Sequence, residues 1–224
     1  MPLYVCPTPI GNLKDITIRA ILTLRSVDLI AAEDTRKTRI LLNKYGIRTK
    51  LTSFHSYSTE KKLEFLIRSL KEGENIALVT DAGTPGISDP GYNIIKRCLN
   101  EGLDVEVLPG PTAFVPALLL SGFPPAHFAF YGFLPRTKGK RIKILKSFEN
   151  FPGPVIYYES PFRVKALLSD IREALGDDRE VALVRELTKI YEETIRGKVS
   201  DVENEIKDRK IKGEIVVVVN AKHK

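Results

Sequence analysis

Apolar positions along this chain follow two alternating rhythms. Residues 3–6 form a short apolar run and predict a strand. From about 15 to 27, Ile18, Ile21, Leu22 and Leu24 fall at helical spacing. Leu29, Ile30, Ala31 and Ala32 are continuous, as a strand covered on both faces requires. Residues 35–45 read as a helix stopped by Gly46, and 58–71 as another with Leu63, Leu66, Ile67 and Leu70 on one face. Residues 76–79 predict a buried strand. Asp89-Pro90-Gly91 predicts a helix start, with Asp as cap and Pro where no N–H is needed. Strands follow at 105–108, 128–131, 155–158, 181–184, 193–196 and 215–219, with a basic helix at 138–148. Ser160-Pro161 predicts a further helix start and residues 200–203 a capping box. This alternation implies an α/β protein with largely parallel sheets. About ten strands exceed one small sheet, so two α/β domains are expected, 1–110 and 111–224, without a long linker.

Composition narrows the class. The 224 residues are 43% hydrophobic and 28% charged, which excludes a disordered or fibrous chain. Two cysteines exclude a disulfide framework and a cysteine zinc site. Three scattered histidines without a His-Glu-x-x-His pattern argue against a metal centre. There is no apolar run of membrane-spanning length and no signal-peptide pattern, so a cytoplasmic chain is expected. Neither a Gly-x-Gly-x-x-Gly turn nor a P-loop is present.

Instead, Gly/Pro-rich loops follow predicted strands. They are Thr8-Pro9-Ile10-Gly11-Asn12, the segment from Asp81 to Gly91, and Pro109-Gly110-Pro111-Thr112-Ala113. Such residues also make ordinary turns. Three loops on one side of one sheet point to a ligand site, because ligands of open α/β sheets bind beyond strand carboxyl ends.

Charge is segregated along the chain. The net charge is +7, yet residues 35–59 and 107–148 contain no acid. The first stretch carries Arg36, Lys37, Arg39, Lys44, Arg48 and Lys50. The second carries Arg136, Lys138, Lys140, Arg141, Lys143 and Lys146. Tyr45, Phe54, Tyr57, Tyr131 and Phe133 lie within or beside them. Cations that position phosphates, with aromatics that stack on unpaired bases, suit RNA. Solvated, solubilising faces are the alternative. Arg185-Glu186-Leu187-Thr188-Lys189, after an apolar strand, is either a surface ion network or a catalytic set.

In order along the chain stand Thr8–Leu13, Ala32-Glu33-Asp34-Thr35-Arg36, the Asp81–Gly91 loop, Pro109–Ala113, Ser121-Gly122-Phe123-Pro124, Gly132-Phe133-Leu134-Pro135, Glu159–Arg163 and Arg185–Lys189. Together they closely resemble the ribosomal RNA small subunit methyltransferase I family. These are cytidine-2'-O-methyltransferases of the tetrapyrrole methylase superfamily. The resemblance runs from about Leu3 to Val219. It implies a tetrapyrrole methylase-like, class III methyltransferase fold of two α/β domains with a cofactor cleft between them. It also implies a homodimer, S-adenosylmethionine as cofactor and no metal. The substrate implied is a cytidine ribose in the decoding region of small-subunit (16S) rRNA, presented as RNA or as the 30S subunit. By matching positions, Pro9, Asp81, Gly83, Thr84, Ile87, Thr112, Ala113, Tyr158, Val184 and Glu214 would contact the cofactor. Arg36, Lys37, Arg39, Arg136, Lys138, Lys140 and Arg141 would meet RNA. Lys189 or Glu186 would assist the acceptor hydroxyl, with Arg185 at the rim and Asp34 or His55 as alternative bases. Three departures stand out. Pro7 replaces a small residue, Ser58-Thr59 stand where the family has Asn-Glu, and the sequence as given stops soon after Glu214–Val219, where longer members continue. A small-molecule methylase and a non-catalytic RNA-binding relative are the competing readings.

Overall fold

A computed structural model of the chain describes residues 2–55, 58–89 and 91–222. The chain divides into two compact units, Met1–Thr112 and Ala113–Lys224. Pro90 as a first helical residue, the Tyr57 ring and His223 lie outside the described residues.

The first unit holds five parallel strands: β1 (Leu3–Val5), β2 (Leu29–Ala32), β3 (Lys50–Ser53), β4 (Ile76–Val79) and β5 (Val105–Val107). Their order is β3-β2-β4-β1-β5. Four helices cover the sheet: α1 (Ile18–Ser26), α2 (Thr35–Lys44), α3 (Glu60–Lys71) and α4 (Gly91–Asn100). Strand alternation sorts the core. Ala77 and Val79 of β4 pack with α1 and α2. Ile76 and Leu78 pack with α3 and α4. Both faces are covered, and this is why the strand is apolar throughout. β1 and β4 are neighbours, while the helices after them leave on opposite faces. The chain therefore diverges above their carboxyl ends, the place where such sheets leave a crevice.

The helix predicted over 15–27 is two pieces. A 3-10 turn, Leu13–Asp15, is capped by Asn12, and α1 is capped by Thr17 Oγ1, which accepts from Ala20 N–H at 3.0 Å. β3 is a strand that the apolar pattern does not predict. It is a half-exposed edge inside a basic stretch, so no apolar run marks it.

The second unit begins with α5 (Phe114–Ser121) and holds β6 (Ala129–Phe133), α6 (Lys138–Ser147), β7 (Val155–Glu159), α7 (Val164–Leu175), β8 (Glu180–Arg185), β9 (Glu193–Lys198), α8 (Val199–Ile206) and β10 (Ile215–Val219). The sheet order is β6-β7-β10-β8-β9. Only β6 and β7 pair in parallel; the other three pairs are antiparallel. This corrects the expectation of largely parallel sheets. An apolar strand buried on both faces reads the same whichever way its neighbour runs. Helices α6, α7 and α8 bury Val155, Tyr157, Leu183 and Val217 on one face. Helix α5 packs on β8 and β10. No helical period announces it, because it is apolar on every side and carries Pro116 in its first turn, where proline is tolerated. Two predicted caps are displaced. α7 starts at Val164, and Ser160 Oγ instead accepts from Phe162 N–H at 3.2 Å in the preceding turn. α8 starts at Val199, so Ser200 lies inside it and caps nothing.

Candidate active site

The three Gly/Pro-rich loops of the first unit are laced together beyond the carboxyl ends of β1, β4 and β5. Thr8 and Gly83 exchange both backbone hydrogen bonds, each 2.9 Å. Thr8 Oγ1 donates to Thr80 O at 2.9 Å, and Thr84 Oγ1 donates to Pro111 O at 3.1 Å. Gly83 sits at φ +86°, open only to glycine at low cost. The longest loop is braced from within. Asp89 Oδ1 accepts from Gly86 N–H at 2.5 Å and from Gly91 N–H at 3.0 Å. Burial raises the Asp89 pKa, and these amides oppose the rise. Sequence reasoning takes Asp89 for a helix cap and misses this brace; an Asp two residues before a Gly is the available signal.

Of the expected cofactor positions in this unit, Pro9 and Gly83 are buried, Asp81, Thr84 and Thr112 are half-buried, and Ile87 is exposed. The result is a rim of small side chains and main chain held in one shape. A cofactor of the S-adenosylmethionine kind fits such a rim, because main-chain groups can be approached closely.

A second set of contacts crosses from β2 and α2. Thr80 Oγ1 donates to Glu33 Oε2 at 2.6 Å, and Asp81 N–H donates to the same oxygen at 3.2 Å. Asp81 Oδ1 accepts from Asp34 N–H at 3.1 Å, and Asp81 Oδ2 pairs with Lys37 Nζ at 2.6 Å. An expected phosphate-binding residue thus touches an expected cofactor-binding one. The pair borders a cavity of about 60 Å³ walled by Thr8, Pro9, Thr38 and Thr80. Asp34 caps α2 through Arg36 N–H at 2.9 Å. The Arg36 guanidinium beside it holds its carboxyl well below the usual carboxylate range. That makes Asp34 a poor proton acceptor. His55 is exposed on the loop after β3, where its backbone N–H donates to Ser58 Oγ at 2.8 Å.

In the second unit, the loop after β8 is a clamp. Lys189 Nζ pairs with Glu186 Oε1 at 2.8 Å and with Glu214 Oε2 at 3.0 Å. Glu186 N–H donates to Glu214 O at 2.9 Å, and Glu214 N–H donates in return to Glu186 Oε1 at 3.0 Å. Glu186 and Thr188 both take left-handed backbone, φ 52° and 66°. Such strain persists only where surrounding contacts over-determine it. Burial disfavours the Lys189 charge, but its two carboxylates outweigh that and raise its pKa. The hydrogen bond from Lys189 lowers that of Glu186. Lys189 is therefore a fixed cation, suited to stabilising a developing oxyanion and unsuited to taking a proton at neutral pH. Arg185 is tied to Glu193 Oε2 at 2.7 Å and to Lys212 O at 3.0 Å.

Glu186 also sets a pH dependence of stability. Its folded pKa lies below the unfolded value, so its stabilisation is complete above the unfolded pKa and is lost as pH falls through the folded one. Glu186→Gln is expected to lose less stability than wild type between about pH 6 and pH 3, followed by urea midpoints.

Two of the expected contact residues are enclosed. Val184 is fully buried in β8, paired with Val216 on one side and Thr194 on the other. Arg141 is not on an RNA face. Its Nε pairs with Asp170 Oδ2 at 2.6 Å, and the two side chains are 9% and 4% exposed. Arg36, Lys37 and Arg39 line the exposed side of α2, opposite buried Thr38, Leu41 and Leu42. Arg136, Lys138 and Lys140 are exposed before and on α6, with Lys138 paired to Glu173 at 2.8 Å. Tyr158 is half-buried, and its hydroxyl, pushed up to about 12 by burial, faces the Phe114 and Ala113 amides. Among the described residues, no group of three His, Cys, Asp or Glu is placed to hold a metal ion. Nor is any helix among them long and apolar enough to cross a membrane.

The architecture is that of a known class of methyltransferases. A cobalt precorrin-4 methyltransferase superposes with TM-score 0.72 at 16% identity, covering 97% of this chain and 94% of that one. A diphthine synthase superposes with TM-score 0.76 at 13% identity, covering 99% and 90%. Residues 2–203 match the Tetrapyrrole (Corrin/Porphyrin) Methylases, and the chain belongs to that family. Within it, the chain groups with proteins named ribosomal RNA small subunit methyltransferase I. It is 49% identical to that of Thermotoga maritima over 98% of both chains. It is 50% identical to that of Bacillus subtilis over 97% of this chain and 74% of the relative.

Proposed function

We propose that this chain transfers a methyl group from S-adenosylmethionine to the ribose 2'-hydroxyl of a cytidine in the decoding region of small-subunit rRNA. The observation that carries the reading is the near full-length likeness to relatives named for small-subunit ribosomal RNA methylation. The laced and braced loop rim and two exposed basic helices are consistent with it. S-adenosylmethionine, when bound, supplies a methyl group already activated on a sulfonium. The chain's task is then to hold the acceptor and manage its proton. Pro9, Asp81, Gly83, Thr84, Ile87 and Thr112 of the first unit hold the cofactor in this reading. Ala113, Tyr158 and Glu214 are the further positions in the second. Lys189, kept cationic by Glu186 and Glu214, stabilises charge on the ribose oxygen, whose proton passes to solvent water as the methyl group arrives and S-adenosylhomocysteine leaves. The α2 cations and those at 136–140 take phosphates. The protein works as a homodimer in the cytoplasm.

The test is methyl transfer from labelled cofactor to bare small-subunit RNA, to assembled small subunits and to a tetrapyrrole, followed by mapping of the labelled nucleotide. Label on one cytidine ribose is the expected result. Cofactor binding without label on any RNA overturns the reading in favour of a small-molecule methylase or a non-catalytic relative. Arg39→Glu with Lys140→Glu is expected to weaken RNA binding. It should also flatten the slope of log affinity against log salt by about one for each phosphate that is no longer neutralised. Titrations at three salt concentrations check it, and an unchanged slope removes these residues from the RNA face.

A further inference from the structure

The fold separates the aromatic residues that accompany the basic stretches. Phe54 is 5% exposed and belongs to the core. Tyr45 packs against the core of the first unit and donates its hydroxyl to Leu13 O at 2.6 Å. Tyr131 and Phe133 remain at the surface, on the edge strand β6. In a regular strand, Phe130 and Phe133 would point to opposite faces, three positions apart. Here the register with β7 shifts between Phe130 and Gly132, and Gly132 takes φ 80°. A bulge of this kind re-aims the side chains beyond it. Phe130 and Phe133 consequently both meet the Tyr158 ring, with centroids at 4.9 and 5.6 Å. Phe114 extends the row, stacked on Phe130 at 4.7 Å. Tyr131 meets a separate group, the Phe148 and Tyr157 rings, each at 6.0 Å. Phe133 is the outermost ring of the row and is 55% exposed.

We propose that Phe133, aimed by the β6 bulge and backed by Phe130 and Tyr158, is a stacking platform for an unpaired base of the RNA substrate. The inference rests on the RNA reading above and adds a residue and a contact to it. Two observations select a nucleobase of a polyanion. A half-exposed ring on a rigid aromatic backing stacks bases with little loss of side-chain entropy. The chain after it, from Arg136 through Lys140, exposes only cationic and neutral side chains, with no acid between Val107 and Phe148. That charge favours phosphates flanking a stacked base and does not favour a cationic sulfonium cofactor.

The experiment uses the full chain with Phe133→Ala, Phe133→Leu and Phe133→Trp. It measures kcat and KM for methyl transfer to small-subunit RNA and to assembled subunits, and Kd for S-adenosylmethionine by calorimetry. Phe133→Ala is expected to raise KM for RNA about 10- to 100-fold, the size of one missing stack, with cofactor Kd changed less than about twofold. Phe133→Trp restores KM, and Phe133→Leu stays near the alanine value because it keeps apolar volume without a π-face. An unchanged RNA KM in Phe133→Ala overturns the platform. So does a cofactor Kd that rises by the same factor, or a leucine variant that behaves as wild type. If wild type transfers methyl to no RNA while binding cofactor, the RNA reading itself fails and the platform falls with it.

Discussion

Asp170→Ala is expected to destabilise the protein by about 3–5 kcal/mol while leaving the RNA affinity of the folded fraction unchanged. The Arg141 guanidinium it would abandon is enclosed. Its Nε meets Asp170 at 2.6 Å, and its Nη1 meets Arg136 O at 2.6 Å. Without the carboxylate, a buried cation keeps only carbonyl partners, and removing one member of such a pair costs more than the pair itself contributes. The double variant Arg141→Met with Asp170→Leu is therefore expected to recover most of the loss. Urea midpoints for the three proteins check this. Arg141 is in this reading a structural tie between α7 and the turn before α6, and it makes no phosphate contact. Should Arg141→Met keep stability and lose RNA affinity, the arginine would be a phosphate contact after all.

Gly91→Ala is expected to weaken S-adenosylmethionine binding about 100-fold, with native secondary structure retained; the factor corresponds to about 3 kcal/mol. A Cβ at Gly91 would lie 2.7 Å from Gly86 N and 3.2 Å from Asp89 Oδ1. Backbone at that distance cannot yield as a side-chain tip could, so the loop must shift where Asp89 holds Gly86 and Gly91, and those hydrogen bonds are weakened. Hydrogen bonds to a charged group contribute about 1.5–3 kcal/mol each, enough for the stated factor. Gly102→Ala is the control. Gly102 also has positive φ, +68°, but open space around its missing Cβ. It is expected to lose about 1 kcal/mol of stability and no cofactor affinity. Calorimetric titration with the cofactor separates the two, and equal affinities for Gly91→Ala and wild type would release the loop from the binding site.

Both results bear on how much of this site is written in the chain. The loops after β1, β4 and β5 are legible because glycine and proline have local reasons to stand where they do. The role of Asp89 is not, since spacing alone does not show which amides of its own loop turn toward it. Lys189 is legible as ionisable and near a strand end. Its clamp is not, because Glu214 lies 25 positions away and arrives only through the β8–β10 pairing. Arg141 misleads for the same reason. A cation among cations reads as surface, and only its enclosure with Asp170 from α7 makes it structural. β3 and α5 stay hidden because one is a half-exposed edge and the other has no polar stripe, so neither carries a period.

By itself, then, the sequence determined whatever depends on neighbours a few positions apart. That covers most strands and helices, the α/β class, the loop rim and the acid-free basic stretches. The tertiary structure decided what depends on partners far along the chain: the strand directions of the second sheet, the enclosure of Arg141 and Val184, the clamping of Lys189 between Glu186 and Glu214, and the turning of Phe133 to the same side as Phe130. The physical reason is range. Periodicity and turn chemistry are local, whereas burial, ion pairing and strand register depend on which distant segments meet.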